Sequence, residues 1–151
     1  MIREATQADT FALAELAVKM WSNHTISELQ SGFLDLICSS DAVCFMKYAD
    51  NKEVGFAQCQ LRKDYVEGTS TSPVGYLEAI YIEKEYRHRG YAKELLSKCE
   101  NWAKEKCCTE FASDCEIDND TSLEFHLSMG FEEANRITCT RLHIYSSQRS
   151  A

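Results

Sequence analysis

The stretch Glu85–Leu96, EYRHRGYAKELL, decides how this 151-residue chain folds. Arg87, His88 and Arg89 crowd Gly90, and an amphipathic helix opens at once behind them. Ala92, Leu95, Leu96, Cys99, Trp102 and Ala103 recur at spacings of three and four, which predicts a helix from Tyr91 to Lys106. Ahead of the knot, VGYLEAIYIE (residues 74–83) is rich in aromatic and β-branched residues and reads as a central strand. A turn between strand and helix aims unpaired backbone N–H groups outward, where the helix dipole adds roughly half a positive charge. Gly90 lets the backbone approach a ligand, Ala92 keeps the first turn clear, and Arg87 and Arg89 add charge-assisted hydrogen bonds. Such a turn suits a pyrophosphate, although an isolated R-x-x-G-x-A is more often a solvated basic loop. It is neither a P-loop nor a G-x-G-x-x-G dinucleotide turn.

Outward from this point the elements alternate. IREA reads as a first strand, and Phe11, Leu13, Leu16, Ala17 and Met20 recur at helical spacing behind Asp9, a candidate cap. A second helix covers ISELQSGFLDLIC, and AVCFMKYA and EVGFAQCQLRKDYV form a hairpin around DNK. After the predicted helix at Tyr91 come a short strand in TEFASD, a helix in DTSLEFHLSM ending near Gly130, and a final strand in ITCTRLHIY. The order predicts a mixed α/β sheet with helices on its faces. There is no repeat or linker, so one domain is expected over residues 1–145, with a tail over 146–151.

A net charge of −8 argues against nucleic acid or an anionic membrane as partner and favours cationic ligands, although solubility alone also explains it. No apolar run is long enough to span a bilayer, and the charged start MIREATQADTF suggests a cytoplasmic protein. The eight cysteines contain no C-x-x-C pair and no zinc spacing, so buried free thiols and no metal are expected.

The strand, the Arg87-x-x-Gly90-x-Ala92 turn, the helix, the short strand and then DNDTSLEFHLSMGF together resemble the GNAT superfamily of N-acetyltransferases. LRKDYVEGTSTSPVGYLEAIYI, NWAKEKCCTEFASD and KMWSNHT are further similar to the aminoglycoside 6′-N-acetyltransferases, over roughly Met1 to Ile144. The resemblance implies a sheet with a splayed pair of parallel strands holding acetyl-CoA. Arg87, His88, Arg89, Gly90, Tyr91, Ala92 and Lys93 would hold the pyrophosphate. Ala79, Ile80, Tyr81 and Ile82 would face the cofactor with their backbone, and Asn119, Ser122 and His126 would meet the pantetheine arm. It also implies a homodimer and a cationic aminoglycoside as substrate.

Acetyl transfer to an amine needs a base for the ammonium proton, donors for a developing oxyanion and an acid for the leaving thiolate. Glu78 is the candidate base, and a half-exposed strand glutamate is its ordinary alternative. His126 stands where many GNAT enzymes carry an acidic tyrosine, and is either the acid or a packed helix histidine. Tyr81 and Tyr65 are other hydroxyl donors or simply walls. Asp114, Glu116 and Asp118 alternate in SDCEIDND; Asp114 is by resemblance the carboxylate that holds a substrate amine, and the other two read as a solvated loop. Trp21 and Tyr65 resemble aromatic walls of the antibiotic site, with a core role for Trp21 nearly as well supported, and Glu132 is a weaker acidic candidate. A GNAT enzyme for a polyamine, amino sugar or peptide amine is the alternative function, and a non-catalytic acyl-CoA sensor is a third.

Overall fold

The computed structural model describes residues 1–144 of the chain. Its elements are β1 (Ile2–Glu4), α1 (Thr10–Ala17), α2 (Ile26–Ile37), β2 (Ala42–Ala49), β3 (Lys52–Arg62), β4 (Val74–Ile82), α3 (Tyr91–Glu105), β5 (Phe111–Ser113) and α4 (Asp120–Ser128). The strands form one sheet in the order β1-β2-β3-β4-β5, antiparallel except for the parallel pair β4–β5. Asp50 and Asn51 turn the β2–β3 hairpin, both at positive φ (51° and 59°), as a tight two-residue turn between twisted strands requires.

Each face of the sheet carries its own core. Leu13, Leu16 and Ala17 of α1 and Phe33 of α2 bury against Met46, Phe56 and Ala79, with Phe33 edge-on to Phe56 at 5.7 Å. On the other face Leu95, Leu96 and Cys99 of α3 bury against Val43, Ala57, Cys59 and Leu77. The contact is close enough that a Cβ at Gly75 would lie 2.7 Å from that of Ala103 and 2.7 Å from the Phe111 ring. α2 opens with a capping box, Thr25 Oγ1 accepting the Glu28 N–H at 3.1 Å and Glu28 Oε2 accepting the Thr25 N–H at 3.2 Å.

Four sequence expectations change. Asp9 does not cap α1 through its side chain; the carboxylate takes the Thr6 N–H at 2.7 Å and both Nη groups of Arg3, closing the 3-10 turn Gln7–Asp9 instead. Phe11 and Met20 are exposed, because α1 is only two turns long and its buried stripe needs only Leu13, Ala14, Leu16 and Ala17. Half of the thiols are buried (Cys44, Cys59, Cys99 and Cys108), and Cys38, Cys107, Cys115 and Cys139 are exposed. Finally, Ile137–Ile144 forms no strand: Ile137, Leu142 and Ile144 stand exposed, and the segment makes no ladder with either open edge of the sheet, so strand propensity alone does not hold it. Tyr145 and the expected tail lie outside the described residues.

Candidate active site

The positive knot is a left-handed turn. His88 and Gly90 have φ of 61° and 81°, and the residues between β4 and α3 form a 3-10 turn followed by bends. A Cβ on Gly90 would meet nothing within 4 Å, so the dihedral requires glycine and the space above the turn is open. Glu94 N–H to Gly90 O is the first bond of α3, which leaves the amides of Tyr91, Ala92 and Lys93 ahead of the helical ladder. Arg87 Nε donates to Ile82 O at 2.8 Å, and Arg89 Nη2 donates to Glu85 O at 3.1 Å with its guanidinium 5.0 Å from the Tyr86 ring. Both cations are thus anchored from below. Buried Lys47 of β2 pairs with Glu94 and lies 4.2 Å from the Tyr91 ring centre, tying the first turn of α3 to the sheet. Open amides, a positive helix end and tethered arginines fit the pyrophosphate of acetyl-CoA.

Next to the turn the sheet opens. β4 and β5 pair only at Gly75–Phe111, Tyr76–Ala112 and Leu77–Ser113, and β4 then runs on to Ile82 with no strand on that side among the described residues. At the same point β4 bulges. Gln58 faces Ala79 and Cys59 faces Leu77, so Glu78 is an extra residue without an opposite number. The bulge resets the alternation: Leu77 packs under α3, Ala79 packs with α1 and α2, and Ile80 returns to the α3 side. The backbone edge of Ala79–Ile82 therefore borders a cleft, as a thioester arm between parting strands needs.

Glu78 is held by a residue that no local pattern announced. Arg62 donates from Nε and Nη2 to Glu78 Oε1 (3.1 and 2.8 Å) and from Nη2 to Oε2 (3.1 Å). The same guanidinium lies 3.4 Å from the centre of the buried Tyr76 ring. Tyr76 in turn donates its hydroxyl to Asp114 Oδ2 at 2.6 Å, and burial, together with that carboxylate, pushes the phenol well above its ordinary range. Glu78 and Asp114 are thus the two ends of one wired chain. A carboxylate has about four acceptor positions, so Oε2 of Glu78 keeps a lone pair for an amine or a water.

His126 is fixed at both nitrogens. Nδ1 lies 2.6 Å from Ser122 O and 3.4 Å from Ser122 Oγ, and Nε2 lies 2.8 Å from Ser113 Oγ. The ring meets Phe131 edge-on at 5.2 Å. Asn119 caps α4, its Oδ1 accepting the Ser122 N–H at 3.1 Å.

Asp114, Ser113, His126, Arg62, Tyr65, Tyr76, Glu116 and Glu132 all line one cavity of about 1100 Å³. Tyr65 is 77% exposed on the β3–β4 loop, with its hydroxyl 3.2 Å from Glu67. That loop is pinned by Glu110, whose Oε1 accepts the N–H groups of Ser70 and Thr71 (2.9 and 2.8 Å) and the Thr71 hydroxyl (2.5 Å). Those donors hold the Glu110 carboxyl below its ordinary range. Asp118 is not among the walls, because the chain turns at Ile117–Asp118. Trp21 is not either; it packs half-buried against the α1–α2 core. Among the described residues no three His, Cys, Asp or Glu side chains are grouped to hold a metal ion, and no helix is long and apolar enough to cross a membrane.

Sequence reasoning missed Arg62, Tyr76, Ser113, Glu110 and Lys47. The first two had a faint signal: Arg62 pairs with Val74, and Tyr76 is its diagonal neighbour once the strands are in register.

Parting parallel strands beside an amide-lined turn define an acyl-CoA-dependent transferase, and the chain belongs to the acetyltransferase (GNAT) family, whose pattern it matches over residues 10–131. It is 38% identical over 136 residues to the aminoglycoside N(6′)-acetyltransferase type 1 of Acinetobacter haemolyticus, covering 90% of this chain and 93% of that one. The enzyme of the same name from Stenotrophomonas maltophilia is 35% identical over 148 residues, covering 97% and 95%. Among solved structures, the apo aminoglycoside 6′-N-acetyltransferase AAC(6′)-IG of A. haemolyticus superposes with a TM-score of 0.92 at 34% identity, covering 96% of this chain and 99% of that one. AAC(6′)-Iy in complex with a bisubstrate analogue, CoA-S-monomethyl-acetylneamine, gives 0.91 at 30% identity, covering 95% and 98%.

Proposed function

We propose that the chain is an acetyl-CoA-dependent aminoglycoside 6′-N-acetyltransferase. The observation that carries this is an acid-bearing cavity of about 1100 Å³ along β5, with Asp114, Glu116 and Glu132 in its walls together with Ser113, the last residue paired with β4. Acetyl-CoA supplies the activated thioester. The amides of Tyr91, Ala92 and Lys93 with Arg87, His88 and Arg89 grip its pyrophosphate, the open edge of Ala79–Ile82 aligns its arm, and Asn119 and Ser122 border that arm. Asp114 and Glu132 hold substrate ammonium groups, and Tyr65 gives a sugar ring an aromatic wall. Glu78 takes the proton of the reacting ammonium, directly or through water, so that its lone pair is free. A backbone N–H of the open β4 edge polarises the thioester carbonyl. Acetylation replaces one substrate charge with an amide and weakens the electrostatic hold of the drug on RNA.

Dependence on acetyl-CoA assigns the enzyme to the cytoplasm. A homodimer in which a second copy covers the exposed Ile137, Leu142 and Ile144 completes the assignment. The test is release of coenzyme A thiol from acetyl-CoA with kanamycin, spermidine and a peptide amine offered in turn. Turnover with kanamycin, and none with a congener bearing a 6′-hydroxyl, is expected. Turnover confined to spermidine or the peptide overturns the antibiotic reading.

A further inference from the structure

The hydrogen bonds around His126 restrict what this side chain can do. Ser122 O is a carbonyl and can only accept, so at 2.6 Å Nδ1 must carry a hydrogen. All acid–base traffic is thereby confined to Nε2. That nitrogen does not face open space; it faces Ser113 Oγ at 2.8 Å. Ser113 Oγ in turn lies 3.1 Å from Leu77 O. Ser113 and Leu77 are the last residues paired between β4 and β5, so this hydroxyl stands at the apex of the cleft, and it lines the cavity beside His126.

Two proton arrangements fit the contact between Nε2 and Ser113 Oγ. In neutral His126, the bare Nε2 accepts the Ser113 O–H. In the imidazolium, Nε2–H donates to Ser113 Oγ, and the hydroxyl is free to donate onward, to Leu77 O or to another acceptor at the cleft apex. The two differ by the proton on Nε2 and by the direction of the serine hydroxyl.

Resting on the acetyltransferase reading above, we infer that Ser113 is the immediate acid for the leaving sulfur and that His126 is the proton store behind it. As the amine nitrogen bonds to the acyl carbon, the C–S bond breaks and its electron pair stays on sulfur. Ser113 gives its hydroxyl proton to that sulfur and takes the Nε2 proton of the imidazolium, which becomes neutral and keeps its Nδ1–H. Water in the cavity returns one proton to Nε2 after turnover. The substrate nitrogen gives up two protons, one from the ammonium before attack and one once it is bonded to the acyl carbon; both leave by way of Glu78 to water, so one proton is released per acetyl transferred.

The test combines single-turnover acetyl transfer to kanamycin with imidazole ¹⁵N–¹H correlation spectra of the ligand-free protein. Ser113→Ala should slow the transfer by about 100-fold, the usual scale of one acid–base contribution. The KM values for acetyl-CoA and kanamycin should stay within about twofold. Ser113→Thr keeps a hydroxyl and should restore most of the rate. His126→Gln on the Ser113→Ala background should add almost nothing. In the spectra neutral His126 should carry its hydrogen on Nδ1. A wild-type rate for Ser113→Ala, a Thr variant as slow as Ala, additive losses in the double variant, or a neutral Nε2–H tautomer each overturns the relay. Absence of wild-type turnover with any amine instead overturns the acetyltransferase reading, and the tautomer then decides the hydrogen-bond chain by itself.

Discussion

Replacing Arg62 by methionine keeps the aliphatic bulk and removes three hydrogen bonds to Glu78 together with the stack on Tyr76. Breaking a fully buried ion pair costs about 3–5 kcal/mol, and an exposed one about 0–1 kcal/mol. The Arg62 side chain is 38% exposed and that of Glu78 20%, so solvent screening brings the pair to about 1.5 kcal/mol. The cation over an aromatic face adds about 0.5 kcal/mol at such a site. A loss of about 2 kcal/mol lowers the Tm of a domain of this size by about 4–8 °C. Circular-dichroism melts of wild type, Arg62→Met, Glu78→Gln and the double variant give the coupling, which should reach about 1 kcal/mol. Kanamycin kcat/KM should fall about tenfold in Arg62→Met with the KM for acetyl-CoA unchanged, because the guanidinium orients Glu78 and does not reach the phosphate turn. Additive melts with wild-type kanamycin kinetics would refute the wiring of Glu78 through Arg62.

Gly90→Ala should raise the KM for acetyl-CoA several-fold, through left-handed strain of about 1 kcal/mol at φ 81°, and leave the KM for kanamycin alone; equal acetyl-CoA values for variant and wild type contradict the turn's role. Arg3, with the Thr6 N–H and hydroxyl, holds the Asp9 carboxyl far below its unfolded value of about 3.9. Its stabilisation is therefore complete above about pH 4 and is lost as pH falls further. Asp9→Asn should melt lower than wild type at pH 6 and the gap should narrow steadily as pH falls from about 4 to about 2, and a constant gap across that range would sink the argument. In the folded protein Ellman's reagent should titrate four thiols, Cys38, Cys107, Cys115 and Cys139, and all eight after unfolding, since burial shields the rest and pushes Cys44 up to about 12; eight fast thiols in the native state would contradict the core.

What was legible in the sequence was whatever a local rule encodes. The apolar spacing from Ala92 to Ala103 reports one helix face, Asp50 and Asn51 report a turn, and Arg87, Gly90 and Ala92 report a strand–turn–helix junction. Arg62 and Glu78 lie sixteen residues apart, and their contact depends on hairpin register. Ser113 and His126 meet only because α4 folds back over the end of β5. Glu110 reaches forty residues back to Ser70. The failed strand at Ile137–Ile144 is the converse case: local propensity was present, but a strand is a property of two segments, and this one pairs with neither open edge of the sheet.

The bulge and the parting of the strands act as one device. Through Leu77, β4 has neighbours on both edges, and its side chains must alternate between the α1–α2 core and α3. Beyond Leu77 only β3 remains, and the extra residue is inserted there, where one ladder rather than two must absorb the shift. An uninterrupted strand would have sent Ala79 to the α3 side with Leu77 and turned Tyr81 away from Phe56. With the bulge, Glu78 falls outside both cores and reaches Arg62. Ser113 and Leu77 bond across the last closed rung, and the next stretch of β4 backbone lies bare. The candidate base, the candidate acid and the start of the bare β4 edge are therefore gathered at a single irregularity in β4.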